Sequence, residues 1–444
     1  MKNFYLIATL YCFISARAQQ QNNSFTLQQA VEYALKNSAG YLNAELDQKS
    51  AEYKRNEVAG MGLPQVSGSI DIKDFISLPT SLLPGEFFGA PPGTFLPVKF
   101  GTKYNSTAGF SASQLIFSSD YIIGLKAAKE YINLSRVNLS RSKADLVSQV
   151  SKAYFNAIIN KERIKLLDAN ILRLKKILND TKALNVQGFA ELIDVERLEV
   201  QLNNLNTEKD KIVRLISLSE NILKFQMGYK ISETIILPDS ISLQGNEENI
   251  ISAGKTDVSK RPEYQLIQSQ QRLYDMDLKR LKWGYLPTLA AYGSYQFNAQ
   301  RQKFDFFDAS KQWFKIALIG ATFNVNIFDG FQRHNKIQQA KIVSNKNLNT
   351  LKIVESSAEL EASVAGILYS NAYLSMLTQK KNMELATHVY EVAQKKFEGG
   401  IGNNLEIVMA QTSLKEAQTN YFNAVYDILV AKIDYQKATG TLIK

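Results

Sequence analysis

The chain carries one pattern twice, and that duplication limits the folds open to it more than any other feature. Tyr41 and Pro64 recur as Tyr264 and Pro287, 223 residues on, while Lys129, Gly188 and Gly228 recur as Lys341, Gly400 and Gly440, 212 residues on. The spacing drops between Pro64 and Lys129, so the first half holds extra residues there. Five of the nine prolines fall between Pro79 and Pro97. The insertion therefore reads as a proline-rich loop on a shared scaffold.

Periodicity outlines each unit. In the first, Leu27, Ala30, Val31, Ala34 and Leu35 recur at helical spacing, and the pattern runs to about Ala59 before Pro64. In the second, a comparable helix starts at Arg261-Pro262-Glu263 and runs to about Trp283 before Pro287. Proline stops both. Beyond each proline the pattern alternates: Val66, Gly68, Ile70 and Ile72, returning through Ala108, Phe110 and Ala112, and in the second half Leu289, Ala291, Gly293, Tyr295 and Phe297, returning through Ala321, Phe323, Val325 and Ile327. These are strands with one apolar face, placed within 64–117 and 286–328. Phe75, Phe87, Phe88, Phe100, Tyr104, Trp283, Tyr285, Trp313 and Phe314 flank them. Rings at strand ends suit a membrane–water interface, although the strands by themselves suit a soluble sheet with one buried face equally well.

Behind each strand pair, residues 119–186 and 330–397 contain no proline and read as helices. At 1.5 Å per residue each would be about 100 Å long, so each needs partners along its whole length. The chain turns at Gly188 and at Gly399-Gly400 and returns through helices expected at 190–227 and 403–439. The second return carries a heptad seam of Ile407, Ala410, Leu414, Ala417, Tyr421, Ala424, Ile428, Ala431 and Tyr435, which argues for coiled-coil packing. The matching seam of the first return, Val195 to Leu223, is polar at Lys209. This divides the chain into a first repeat at 19–228, a linker at 229–259 and a second repeat at 260–444.

The N-terminus sets the compartment. Lys2, an apolar stretch from Phe4 to Ile14, and Ala16-Arg17-Ala18 have the layout of a secretory signal over residues 1–18. The apolar run is shorter than the roughly 20 residues of a membrane span. Cys12, the single cysteine, lies inside this segment, so no disulfide or cysteine metal site is expected. The formal net charge of +10 becomes +8 when Lys2 and Arg17 are removed. Secretion argues against nucleic acid as the reason for that balance. No later stretch is long and apolar enough for a membrane helix, so any membrane contact would be made by strands.

No enzymatic chemistry, cofactor or metal site is expected. Gly254-Lys255-Thr256 mimics the end of a phosphate-binding loop, but Asn249 stands where the first glycine is required. His334 and His388 have no ligand spacing around them. Four strands leave two unpaired edges, which lipid does not tolerate, and a closed barrel needs at least about eight strands. Several copies must then share one barrel; these considerations do not fix how many.

Taken together, Phe25-Thr26-Leu27-Gln28-Gln29-Ala30-Val31 with Ala34-Leu35, Arg261-Pro262-Glu263, the prolines before each strand pair, Gly188 to Val195, Gly400 to Ile407, Met227-Gly228 and Thr439-Gly440 resemble the TolC-like outer-membrane efflux family. The resemblance implies a mainly α chain with a small β part. A long α-helical coiled-coil barrel would extend into the periplasm, and four strands per chain would join a twelve-stranded transmembrane β-barrel in a homotrimer. It implies an equatorial region near the 229–259 linker. It also implies a passive exit duct for efflux or type I secretion, set in outer-membrane lipid and docked to a periplasmic adaptor (membrane fusion protein) and an inner-membrane pump.

The family closes its periplasmic end with acidic side chains beyond the second turn. Glu406 matches the first; Met409 stands where a second acid occurs in the family's namesake. Asp194 matches an acid beyond the first turn that a Tyr and an Arg brace there, but Phe397 and Gly402 hold those two positions here, so that bracing cannot form as such. Three copies of Glu406 would make an anionic ring favouring cations. Gly188, Phe189, Gly400 and Ile401, at the tips, are the expected adaptor contacts. The rival reading is a periplasmic coiled-coil scaffold without channel activity.

Overall fold

The computed structural model describes residues 23–238 and 257–443. The expected signal at 1–18 with Cys12, the linker from 239 to 256, Asn249 and Gly254-Lys255-Thr256 lie outside the described residues.

Helix α1 (Leu27–Asn37) starts with a reciprocal cap: the Thr26 hydroxyl accepts from the Gln29 amide, and the Gln29 side chain accepts from the Thr26 amide at 2.9 Å. The expected single helix to Ala59 is in fact two. Ser38 is extended (φ −68°, ψ 118°), and α2 (Ala39–Gly60) begins after it. Ser38 is neither glycine nor proline, so local sequence holds no stop. Tertiary packing is found there instead: the left-handed turn at Gly228 lies so close that a Cβ on it would sit 2.4 Å from the Asn37 carbonyl oxygen.

Strands β1 (Gln65–Asp74), β4 (Tyr104–Phe117), β5 (Thr288–Arg301) and β6 (Phe314–Asn324) form one antiparallel sheet in the order β1-β4-β5-β6. Val325 and Ile327, read from the sequence as part of the last strand, lie beyond its end. The proline-rich insertion is more than a loop. It folds as a two-stranded hairpin, β2 (Thr80–Pro84) and β3 (Phe95–Lys99), joined through a 3-10 turn at Gly85–Phe88. The Gly85 amide donates to the Thr94 carbonyl at 2.7 Å. Pro84 and Pro97 are tolerated because both strands have an outer edge that needs no donor.

Two proline-free helices follow the strand pairs, α3 (Ser119–Val186) and α6 (Gln332–Glu398), and return as α4 (Leu192–Met227) and α7 (Asn404–Ala438). Helix α5 (Pro262–Trp283) opens the second half. No helix among the described residues is long and apolar enough to cross a membrane.

Compactness follows a different division from the repeat. Of the described residues, one unit takes 23–48, 135–238, 257–267 and 350–443, and the other takes 49–134 and 268–349. The first unit is held by helix packing. Leu167, Ile171, Leu174 and Leu178 of α3, Val195, Leu198 and Leu205 of α4, Tyr390 of α6 and Ile407, Ala410 and Leu414 of α7 share one core. Lys209, the polar seam residue, reaches out of that core to Asp168 at 2.6 Å. Arg261 is buried and ties the start of α5 to α6, donating to the Ala358 carbonyl at 3.3 Å and to Glu361 at 2.5 Å. The second unit contains the sheet and a buried polar joint between α5 and α6: the Gln271 amide donates to the Ser344 hydroxyl at 2.7 Å and accepts from Asn347 at 2.9 Å.

Candidate functional site: the exposed sheet and the helical tips

In an antiparallel pair, residues directly opposite each other lie on the same face. The register therefore sorts the whole sheet. Val66, Gly68 and Ile70 of β1 lie opposite Ala112, Phe110 and Ala108 of β4. Those lie opposite Gly293, Tyr295 and Phe297 of β5, and Gly293 and Tyr295 lie opposite Ile319 and Ala317 of β6. Through the middle of the four strands this face is apolar, with Lys315 opposite Phe297 and Gln114 opposite Ala291 towards its ends, and it is uncovered: Ile70, Phe110, Ile319 and Phe323 are all more than 60% exposed.

The other face is largely polar. Ser67, Ser69 and Asp71 align with Ser111, Gly109 and Thr107, and these align with Ser294, Gln296 and Asn298. The Ser67 and Ser111 hydroxyls share a hydrogen bond of 2.8 Å, and the Asn298 amide donates to Asn105 at 2.9 Å and Thr107 at 3.0 Å. Leu318, Ile316 and Phe314 of β6 are apolar members of this face, and so are Leu115 of β4 and Ala290 of β5 towards the helical end.

Aromatic groups gather at both ends of the strands. At one end Tyr104, Phe304, Phe306 and Trp313 form a chain of ring contacts with centroids 5.5–6.1 Å apart, edge-on between the first three and tilted at Trp313. At the other, the Lys279 ammonium lies 4.7 Å from the Trp283 ring centre, and the Arg333 guanidinium 5.0 Å from that of Tyr285. An exposed apolar band between two aromatic belts, backed by a hydroxyl- and amide-lined face, is the layout of a sheet with lipid on one side and water on the other. Among the described residues, the outer strands β1 and β6 have no partner on their far sides.

The tips belong to the helical unit. Gly188 (φ 79°) and Gly400 (φ 74°) end the long helices in the same way. The Phe189 amide reaches back to the Leu184 carbonyl and the Gly188 amide to that of Asn185; Ile401 and Gly400 repeat this onto Lys396 and Phe397. The left-handed backbone needs glycine. In this motif the residue after the glycine commonly packs back on its helix, yet Phe189 is 80% and Ile401 84% exposed. Val186 and Leu192 are exposed beside Phe189, so the first tip presents an apolar surface.

The residues expected at the gate are distributed around the second tip. Glu406, in the first turn of α7, pairs with Lys396 in the last turn of α6 at 3.0 Å, and both are about half exposed. The carboxylate of the suggested anionic ring thus has a cation of its own. Met409 is exposed. Asp194 pairs with Arg197 one turn along its own helix at 3.5 Å. Phe397 is partly buried against the shared core. Gly402 has no room for a side chain, since a Cβ would stand 2.7 Å from the Phe397 nitrogen. A brace from these two positions is therefore absent for steric as well as chemical reasons.

Another residue makes the connection. Asn404, buried at the start of α7, donates its side-chain amide to the Asp194 main-chain carbonyl at 3.1 Å. It opens a stripe not singled out in the sequence: Asn404, Gln411 and Gln418 repeat every seven residues beside the apolar seam, and all three are buried. Gln418 accepts from Asn170 of α3 at 2.8 Å. Gln411 is 1% exposed, and neither its amide nitrogen nor its oxygen has a hydrogen-bond partner. Nearby in the shared core, burial pushes the Tyr390 phenol up, against the opposing pull of the Arg173 guanidinium 5.5 Å from its ring centre. Glu398 is held below the usual carboxylate range by hydrogen bonds from Gln394 and Lys176. The seven-residue spacing was the available clue, but amides at that spacing read as a solvated face until burial is known. Among the described residues, no group of three or more His, Cys, Asp or Glu side chains is placed to hold a metal.

Comparison with known proteins agrees with this geometry. The family described as "Outer membrane efflux protein" matches residues 264–441. The probable efflux pump outer membrane protein TtgC of Pseudomonas putida is 20% identical over 343 residues, 76% of this chain and 69% of that protein. The outer membrane protein TolC of Vibrio cholerae is 19% identical over 347 residues, 76% and 77% respectively. Among solved structures, the CmeC outer membrane channel of Campylobacter jejuni has a TM-score of 0.77 at 16% identity, covering 95% of this chain and 86% of that one. The open state of the MtrE channel of Neisseria gonorrhoeae has 0.74 at 14%, covering 94% and 89%. The first half of the chain, outside the matched region, shares the fold of these channels with the second. Residues 264–441 belong by sequence to the TolC-like outer membrane efflux protein family, and the described chain as a whole has the fold of that family's solved channels.

Proposed function

We propose that the protein is an outer-membrane efflux channel, a passive duct through which substrates leave the periplasm. The observation that carries this reading is the sheet with one uncovered apolar face, one largely polar face and two open edges. β1 has ten residues, so about ten backbone groups face outward from it; at several kcal/mol each, an open sheet in lipid would cost tens of kcal/mol. Closure by other copies removes that cost. Successive strands alternate in direction, so β6 of one copy meets β1 of the next antiparallel, and a head-to-tail ring closes without a mismatch. Three copies give twelve strands, with the serine- and asparagine-bearing face inward.

The helical unit supplies the periplasmic tunnel in this reading. Its exposed tips at Gly188-Phe189 and Gly400-Ile401 are the surface for a periplasmic adaptor that links the duct to an inner-membrane pump. Glu406, Met409, Asp194, Phe397 and Gly402 surround the narrow end, and the bond from Asn404 to Asp194 takes the place of the family's brace. No step needs a cofactor, because the pump supplies the energy.

Fractionation of cells followed by planar-bilayer recording tests the proposal. The expected result is a protein that partitions with the outer membrane and gives stepwise ionic conductance as a multimer. A water-soluble protein that never inserts would overturn it in favour of a periplasmic scaffold.

A further inference from the structure

The hairpin β2–β3 is left unexplained by the duct. Across residues 79–98 the only charge is Glu86. Register places Leu82 opposite Pro97 and Pro84 opposite Phe95 on one face, and Leu83 opposite Leu96 and Ser81 opposite Val98 on the other. Both faces are therefore apolar towards the tip. Leu82, Phe87, Phe88 and Phe95 are each 60% exposed or more. A lone two-stranded ribbon is marginal in water, and among the described residues this one pairs with no other strand. It requires a cover.

Lipid is a poor cover. The backbone groups along both outer edges of the ribbon are unpaired, and in hydrocarbon each would cost several kcal/mol. Addition of another strand is also impeded, because Pro84 and Pro97 remove amide donors from those edges. What remains is contact through the faces, with the edges left to water. The position of the ribbon indicates the source. It follows β1, the open edge, and β1 ends at Asp74 on the same side of the sheet where β6 begins at Phe314. In the closed ring, the β5–β6 connection of one copy, residues 302–313, therefore stands beside the ribbon of the next. That connection presents Phe304 and Phe307, 56% and 85% exposed. The segment 302–313 carries two lysines and two aspartates, so no net charge opposes its approach to Glu86.

We propose that the β2–β3 hairpin is a docking element for a second copy of this chain, packing its apolar face on the Phe304–Phe307 segment of the neighbour and locking the outer rim of the ring. The proposal rests on the ring closure above. The lock would join copies through side chains at a level where the barrel strands have already ended.

The sequence has a single cysteine, Cys12, in the expected signal, which leaves a clean background for thiol cross-linking. Phe95→Cys combined with Phe307→Cys, oxidised in outer membranes, should give a ladder of covalent multimers that is lost in either single variant. Light scattering of the detergent-solubilised protein separates the two ideas. A multimer of wild-type mass without inter-copy cross-links, or a photoactivatable probe at position 88 that labels acyl chains instead of protein, overturns the docking proposal alone. A monomer overturns the ring and the docking together. A second variant, Leu82→Ser with Phe95→Ser, should lower the temperature at which the multimer dissociates while leaving single-channel conductance unchanged; an unaltered dissociation temperature contradicts the lock.

Discussion

Gln411→Met is the substitution for which the structure gives the clearest magnitude. Gln411 is 1% exposed, and both polar atoms of its amide lack partners. Each orphaned buried group costs about 1–3 kcal/mol. Methionine keeps the unbranched reach and nearly the volume, so overpacking is small. Allowing for relaxation around the site, the gain should be about 2 kcal/mol, which is roughly a 30-fold fall in local opening at 1.36 kcal/mol per factor of ten. Hydrogen exchange of the backbone amides around Ile407 to Leu414 reads this directly. Exchange there should slow by about that factor, with smaller changes elsewhere in the helical unit. Unchanged or faster exchange would refute the reasoning, because it would mean that the amide is satisfied or that its polarity stabilises the core.

Asn404→Ala removes the bond to the Asp194 carbonyl and should loosen the tip by about 1 kcal/mol, seen as more frequent or larger openings in single-channel records. Because Lys396 neutralises Glu406, Lys396→Gln should raise cation preference and Glu406→Gln should lower it, both measured as reversal potentials under a salt gradient; unchanged selectivity in both would remove this pair from the conduction path. The lowered Glu398 carboxyl contributes stability that is present above its unfolded pKa and lost as pH falls through its folded value. Glu398→Gln should therefore flatten the acid limb of the stability profile below about pH 4.3, the unperturbed glutamate value.

The sequence shows strands and helices wherever local rules decide them. Proline at 64 and 287 stops a helix, alternation after each proline makes a strand, and the repeated left-handed glycines at 188 and 400 end helices by identical bonds. Long-range packing was not visible. Ser38 breaks a helix beside the Gly228 turn, far along the chain, and the insertion is a hairpin because Leu82-Leu83 meet Leu96 and Pro97 across a turn, despite the prolines around it. At the tips, the resemblance directed attention to Glu406 and Asp194, whereas the hydrogen bond that joins the two returning helices at that level comes from Asn404, with Gln201 to Thr412 and Glu208 to Lys415 joining them further along. An asparagine next to a helix start reads as a cap. Only its burial and its distance to another helix reveal the second role.

The channel reading depends most on which face of the sheet meets lipid. Single cysteines placed in turn from Ala108 to Ser113 on β4, probed in intact outer membranes, address this directly. A water-soluble maleimide should react at 109, 111 and 113, and a lipid-phase quencher should reach labels at 108, 110 and 112, following the period of two that the register sets. Uniform reaction with the aqueous reagent at all six positions would contradict that reading, because the sheet would then not be set in a membrane.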